Sequence, residues 1–288
     1  MGKTAKGGKL SVVGTPIGNL GDFSPRGIET LENADYIAAE DTRVTLRLLT
    51  HFGIKKPLLS YYKPKEQEKS ERIIELLSEG NHIALVSDAG MPCISDPGSV
   101  LVKKCRELGL AVEAIPGCNA AVAAVALSGL DIDRWTFEGF LPVPKKERFE
   151  QLEQIKNLPH ALVFYEAPHK IRQTLHDMAE VLGAERNAVL CRELTKIHEE
   201  TVHGTLGELS RYYDDIEPRG EFAVVIEGKK ANDDSDNFTL EQAVLLAKQL
   251  ADGGEKLSDA CKEAAKATGI PKRDIYTAIS SNPDTNNH

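Results

Sequence analysis

Asp88 and Asp96 bracket the run Ser87-Asp88-Ala89-Gly90-Met91-Pro92-Cys93-Ile94-Ser95-Asp96-Pro97-Gly98, which holds no basic residue. A loop built to cradle phosphate shows Gly-Lys-Ser/Thr or G-x-G-x-x-G spacing and keeps carboxylates away from the anion. This run is therefore poorly suited to a nucleoside triphosphate. Carboxylates beside bare backbone suit a ligand that is cationic or presents an amine and hydroxyls. S-adenosylmethionine, with a sulfonium and an ammonium, is one such ligand; the plainer reading is that both aspartates only cap turns.

The elements on either side decide where that chemistry sits. Residues 83–86 read as a short buried strand, and strand ends are where α/β sheets place ligands. Ser95 or Asp96 is expected to cap the next helix, with Pro97 in its first turn. Val100, Leu101, Cys105 and Leu108 then form its buried face and Gly109 its stop. Further strands are expected at 10–13, 36–39 and 111–115. The first runs into the glycine-rich turn 14–22, the second into Glu40-Asp41-Thr42-Arg43, and the third into Pro116-Gly117-Cys118-Asn119-Ala120. Helices follow: one opened by Ser24-Pro25 with Ile28 and Leu31 inward, one with Val44 and Leu48 on its apolar side, one built on Ile73, Ile74 and Leu77, and a small-residue helix ending near 126. Strict βα alternation implies a mostly parallel sheet.

After a break near 128–134 the pattern starts again. Strands are expected near 135–139, 161–165, 188–192 and 222–227, with helices near 146–156, 169–182 and 206–213, a second α/β domain. Beyond a polar linker come helices near 240–250, 257–266 and a last one to about 278. Ala260, Ala264, Ile270, Ile275 and Ile279 are spaced like the core of a helix-turn-helix unit. Acidic residues outnumber basic ones there, which favours packing or docking over reading DNA. The expected organisation is a mobile leader 1–9, an N-terminal α/β domain 10–130, a C-terminal α/β domain 131–229, a linker 230–238 and a helical module 239–288.

The 288 residues carry a formal charge of −9, so the bulk field repels nucleic acid and any RNA contact must come from local basic patches. Two candidates exist. Lys55, Lys56, Lys63 and Lys65 surround Tyr61-Tyr62, a mix that more often is an ordinary solvated loop. Lys145, Lys146 and Arg148 lie in the loop that begins at Phe140 and are placed to reach a phosphate backbone, or simply to solvate a helix start. Five cysteines without C-x-x-C spacing indicate neither a metal site nor a disulfide framework. With no apolar run fit to span a bilayer, a cytoplasmic protein that does not engage membranes is expected.

Six motifs in order, Gly14-Thr15-Pro16-Ile17-Gly18-Asn19, Glu40-Asp41-Thr42-Arg43, Ser87-Asp88-Ala89-Gly90 with Ile94-Ser95-Asp96-Pro97-Gly98, Ile115-Pro116-Gly117, Phe164-Tyr165-Glu166-Ala167-Pro168-His169, and Arg192-Glu193-Leu194-Thr195-Lys196 with His198-Glu199-Glu200, resemble those of the tetrapyrrole methylase superfamily. The resemblance covers roughly residues 10–280. It implies two α/β domains with S-adenosylmethionine in the cleft between them, and a homodimer. In the branch these motifs match, it implies methylation of the ribose 2′-oxygen of a cytidine in the decoding region of small-subunit ribosomal RNA. Carried onto this chain, the cofactor touches Pro16, Asp88, Ala89, Gly90, Ile94, Asn119, Ala120, Leu141, Tyr165 and Ala223. Departures stand at Met91 and Cys93, where the pattern has Thr and Gly, and at Lys170, where it has Arg.

Methyl transfer to a hydroxyl needs alignment and a proton acceptor, either a carboxylate or a neutral lysine. Glu40, Asp41, Glu166, Glu193, Lys196 and Glu199 qualify. Lys196 and Glu199 are preferred, with Arg43 and Arg192 for phosphate or orientation. Against this stands the reading that Arg192-Glu193 and Lys196-Glu200 are structural ion pairs. A methylase for a small tetrapyrrole-type acid, or an inactive RNA-binding assembly protein, are the alternative functions.

Overall fold

Short, largely apolar strands alternating with helices build the first sheet. The computed structural model describes residues 7–214, 216–230 and 239–281. Its first elements are β1 (Lys9–Val13), α1 (Pro25–Asn33), β2 (Tyr36–Ala39), α2 (Thr42–His51), β3 (Leu58–Ser60), α3 (Glu66–Ser78), β4 (His82–Val86), α4 (Ser99–Glu107) and β5 (Ala111–Ile115). The strands pair in the order β3-β2-β4-β1-β5, all parallel. Leu10, Val13, Ile37 and Ile83 are fully buried, as expected of strands covered on both faces. Ser24 opens α1 by accepting from the Gly27 N–H at 3.0 Å, with Pro25 at the first helical position. The loops after β1 and β4 are stitched together by paired backbone bonds between Thr15 and Gly90. The loops at the C-terminal ends of neighbouring strands are thereby fixed to each other.

Three expectations fail here for physical reasons. Neither Ser95 nor Asp96 caps α4. The chain passes through left-handed backbone at Cys93 (φ 72°) and Ser95 (φ 65°), and the helix opens at Gly98, whose φ of 138° suits glycine. The carboxylate that meets the Gly98 N–H, at 2.7 Å, is Glu66 from α3. Leu108 is 61% exposed rather than buried. On α2 the buried residues are Thr45 and Leu49, so Val44 faces outward. Tyr61 is wholly buried, with its hydroxyl between Glu66 and Ser70, and offers no stacking face to RNA.

The second sheet is mixed. It comprises α5 (Ala120–Leu127), β6 (Trp135–Phe140), α6 (Lys145–Ile155), β7 (Ala161–Glu166), α7 (Ile171–Leu182), β8 (Asn187–Arg192), β9 (Glu200–Thr205), α8 (Leu206–Tyr212) and β10 (Phe222–Ile226). The order is β6-β7-β10-β8-β9, and only β6 and β7 run parallel. The edge strand β9, largely polar and half-buried except at the exposed His203, is not anticipated by its sequence. Helix α5 follows the first sheet in the chain but packs on the second, with Ala121 and Ala124 against Val163, Val189, Ala223 and Val225. The α6, α7 and α8 helices cover the other face through Leu152, Leu175, Met178 and Leu209.

The chain divides into two compact units, Met1–Gly228 and Lys229–His288. The second holds α9 (Leu240–Asp252), α10 (Leu257–Thr268) and α11 (Lys272–Ser280) around Ala243, Ala247, Ala260, Cys261, Ala264 and Ile275. Residues 1–6 of the expected leader, 231–238 of the expected linker, and 282–288 lie outside the described residues, and Lys9 already belongs to β1. Among the described residues, no helix is long and apolar enough to cross a membrane.

Candidate active site

The loops after β2, β4 and β5 face the strand ends of the second sheet across a cleft of about 520 Å³. Asp88, Ala89, Gly90, Ile94, Asn119, Ala120, Tyr165 and Ala223 all line it. Asn119 earns its place twice, capping α5 through the Val122 N–H at 3.0 Å while standing at the cleft. Tyr165 spans the same junction, its hydroxyl accepting from the Ala121 N–H at 2.9 Å. Two other expected contacts lie elsewhere. Pro16 lines a smaller adjoining cavity, and Leu141 is buried in the core beneath α6 and α7, so its side chain does not line the cleft.

One rim is acidic. Glu40, Asp88 and Asp96 all line the cleft, and among the described residues no lysine, arginine or histidine forms an ion pair with any of them. The nearby cations are otherwise engaged: Arg43 folds onto Asp41 at 2.6 Å, and Lys63 donates to the Ser95 carbonyl at 3.0 Å. Burial, and then Glu40, push the Asp96 carboxyl up to about 6. Glu40 is raised by burial and by Asp88. Asp88 is raised chiefly by burial, although the Asp41 N–H bonds it at 3.0 Å. Such a rim lowers its energy when a cation arrives.

The opposite rim is internally neutralised. Lys196 donates to Glu193 at 2.8 Å and to Glu221 at 3.0 Å, and the Glu221 N–H bonds Glu193 at 3.0 Å. Burial alone would lower the Lys196 pKa, but the two carboxylates outweigh it and raise it. Burial likewise pushes Glu193 up, and its bonds from Lys196 and the Glu221 N–H outweigh that and pull it down. Glu193 and Thr195 adopt left-handed φ values of 52° and 68°, and the Thr195 hydroxyl is buried without a hydrogen-bond partner. Gly220 (φ 81°) makes this segment possible, since a Cβ there would collide with the Glu193 side chain. Non-glycine residues held in this region store strain, which clusters at functional sites.

These distances revise the expected catalytic set. Lys196 is held as a cation and is no neutral base. Glu199 bonds the Thr195 N–H at 2.5 Å and lines neither cavity. Arg192 pairs with Glu200 at 2.9 Å across β8 and β9, so of the two structural pairings expected, the partners are exchanged. Arg43, its side chain 85% exposed, also lines neither cavity. Glu166 is buried and bonded to the Thr174 hydroxyl at 2.7 Å. Glu221, which the sequence does not single out, lines both cavities. Its only signal is a carboxylate directly before a wholly apolar strand.

The basic candidates also separate. Lys145 and Lys146 stand exposed in the first turn of α6, Lys145 lying 4.7 Å over the Phe149 ring. Arg148 turns inward, 8% exposed, bonding Asp177 at 2.6 Å and the carbonyls of Pro142 and Val143. It reaches no phosphate, because its charge is needed inside.

The profile of the family described as Tetrapyrrole (Corrin/Porphyrin) Methylases matches residues 9–210. Among solved structures, the methyltransferase CobJ superposes with a TM-score of 0.59 at 18% identity, covering 77% of this chain and 94% of that one. Fold and cleft thus define a methylase of this class. Ribosomal RNA small subunit methyltransferase I of Halalkalibacterium halodurans is 45% identical, over 93% of each chain. The protein of the same description from Bacillus subtilis strain 168 is 42% identical, over 94% of each. The chain belongs to this family, that of ribosomal RNA small subunit methyltransferase I, within the tetrapyrrole methylases.

Proposed function

We propose that the chain transfers a methyl group from S-adenosylmethionine to the ribose 2′-oxygen of a cytidine in the decoding region of small-subunit ribosomal RNA. The names carried by its relatives support the RNA substrate. The observation that carries the donor is the acidic rim, three carboxylates that form no ion pair among the described residues and face an aromatic and apolar wall. The residues fit the donor's chemistry. Asp88 and Asp96 suit its ammonium and hydroxyls, the backbone at Ala89-Gly90 and Asn119-Ala120 its polar edges, and Ile94, Tyr165 and Ala223 its apolar surface. Pro16 and Leu141 would act at one remove, through the loops they anchor.

Held by these residues, the donor would supply an electrophilic methyl for in-line transfer to the hydroxyl oxygen, its sulfonium departing as a neutral thioether and the hydroxyl proton going to a carboxylate of the cleft. The chain's own work is placement. Lys196, with two of its three N–H donors held by Glu193 and Glu221, keeps one for the acceptor oxygen and steadies charge developing there. Since Lys196 is already protonated, a carboxylate at the cleft must take the proton, and Glu221 is suited to this. Arg192 and Glu199 hold the Lys196 segment in shape, and Arg43 acts through Asp41.

Lys145 and Lys146 assist RNA docking. Replacing both by alanine should weaken binding to small subunits and reduce the salt slope by about 1 to 2. The homodimer and the cytoplasmic site of action follow from the same reading; outward-facing Val122 and Leu127 on α5 are apolar surface for a second copy to cover. Incubation with labelled donor and small subunits lacking the modification tests the whole proposal. Label in a ribose-methylated cytidine is expected. Label appearing only in a tetrapyrrole, or donor bound without transfer, overturns it.

A further inference from the structure

Beside the cleft lies a second cavity of about 400 Å³, between the loop after β1 and helix α2. The lining residues the two share are Ile17, Asp88, Ala89, Lys196 and Glu221. Three of these five ionise, and Lys196 is bonded to Glu221 within the wall itself. A group held in the cleft and a group held in the second cavity therefore meet at a partition made of a cation and two carboxylates.

Away from that partition the cavity has a different character. Leu20 and Val44 are left 40% and 37% exposed, and Leu48 is half-buried. Large apolar side chains left open around a concavity mark a surface that is covered in use. The remaining cation lining it is Arg47. Among the described residues Arg47 has no ion pair or hydrogen bond, whereas Arg43, one turn earlier on α2, is folded onto Asp41. In a chain of charge −9, an uncommitted guanidinium over an apolar wall is a local complement for a phosphate attached to something planar or sugar-like.

We infer that this second cavity receives the acceptor nucleotide, unstacked from its neighbours, with sugar and base against Leu20, Val44 and Leu48 and a flanking phosphate on Arg47. The inference rests on the proposed RNA methylation and adds where the acceptor goes. Small-ligand pockets run from about 300 to 1,000 Å³, so this one has room for one nucleotide and not for a base pair. Sequence-specific proteins reach RNA through such splayed single-stranded units. Arg47 is a positioning residue, for it holds the phosphate and leaves the reacting oxygen to the partition.

The test compares the full-length wild type with Arg47→Ala, Arg47→Lys and Val44→Trp, all at positions exposed enough to leave the fold intact. Calorimetry with S-adenosylmethionine alone should give affinities within about twofold of wild type for every variant, since none lines the donor cleft. With unmodified small subunits, Arg47→Ala should raise KM about tenfold with little change in kcat, and reduce the salt slope of subunit binding by about 1. Arg47→Lys should recover part of the affinity, and Val44→Trp should block methylation by filling the cavity. An unchanged KM and salt slope for Arg47→Ala, or full turnover by Val44→Trp, overturns the inference. Loss of donor binding in these variants also overturns it, by making the second cavity part of the donor site. A wild type that binds subunits and methylates none of them overturns the proposed activity instead, while the Arg47 salt slope still decides the cavity.

Discussion

The two rims of the cleft put the same side-chain types to opposite use. On the loop side Glu40, Asp88 and Asp96 form no ion pair among the described residues, and all three carboxyls are raised, burial outweighing the more distant Lys63 and Arg43. On the strand side Glu193 and Glu221 enclose Lys196, and Glu193 is lowered. A carboxylate that has met its cation within the fold is already neutralised and gains little from a cationic ligand. Carboxylates left facing one another destabilise the empty protein and become favourable when a cationic ligand neutralises them. The difference predicts that breaking a charge pair closed within the fold, as Arg148 with Asp177, is read as stability, and that substitutions on the loop side are read as binding.

The largest effect belongs to the pairing half of the molecule. Arg148→Ala leaves the buried Asp177 without its guanidinium partner, Gln173 being the hydrogen-bond donor that remains among the described residues. Breaking a buried pair from one side costs about 3–5 kcal/mol, so the unfolding free energy should fall by that order while any surviving folded protein binds donor normally. Chemical denaturation measures the first and calorimetry the second. A loss under about 1 kcal/mol would mean that the pair is no more than a surface contact.

On the loop side the expectation reverses. Asp88→Asn removes a charge that faces the cleft but keeps an oxygen for the Asp41 N–H. Donor affinity should fall by about 10- to 100-fold, the size of a hydrogen bond to a charged group, while thermal stability holds or rises. If stability falls and affinity does not, the two rims are not different in kind.

Acidity sharpens the contrast without mutation. Asp96 titrates near 6 because of burial and then Glu40. The folded, empty protein therefore binds this proton more tightly than the unfolded chain. The stabilisation from protonation is fully present below the ordinary carboxylate range and is lost as pH rises through about 6. Glu193 has the opposite sign: its contribution is present above the unfolded pKa and is lost as pH falls through its lowered folded value. If the donor sits against this rim as proposed, its affinity should decline as pH drops through about 6, and Asp96→Asn should flatten that decline. Calorimetric titrations between about pH 5 and pH 8 check both statements.

What the chain discloses on its face is local. Strand β2 falls where its unbroken apolar run puts it, β5 falls where expected although Glu113 interrupts it, and Ser24-Pro25 announces its helix. Long-range partners stay hidden. The cap bond at Gly98 comes from Glu66 on α3, and Arg148 looks like a solvated helix start until Asp177 on α7 is brought under it. Arg192 and Glu200 become neighbours only because β9, too polar to be read as a strand, lies antiparallel to β8. Motif residues converge on the cleft because each ends a strand of known type. Glu221 and Arg47 carry no motif, and only the cavities they line single them out.

The smallest effect concerns the loop-side backbone. Cys93 stands where the resemblance places glycine, and it adopts φ 72° with its thiol pushed up to about 11 by burial. Two contributions oppose each other there. Glycine relieves a left-handed conformation that costs other residues about 1–2 kcal/mol, but it gives up the packing of a half-buried side chain, which offsets much of that gain. Cys93→Gly should therefore stay within about 1 kcal/mol of wild type. Cys93→Ala loses the thiol and keeps the strain, so the glycine variant should be the more stable of the two by about 1 kcal/mol, the reverse of their order in a helix. Denaturation of the pair decides it, and an alanine variant as stable as the glycine one would show that the cofactor loop is not left-handed at this position.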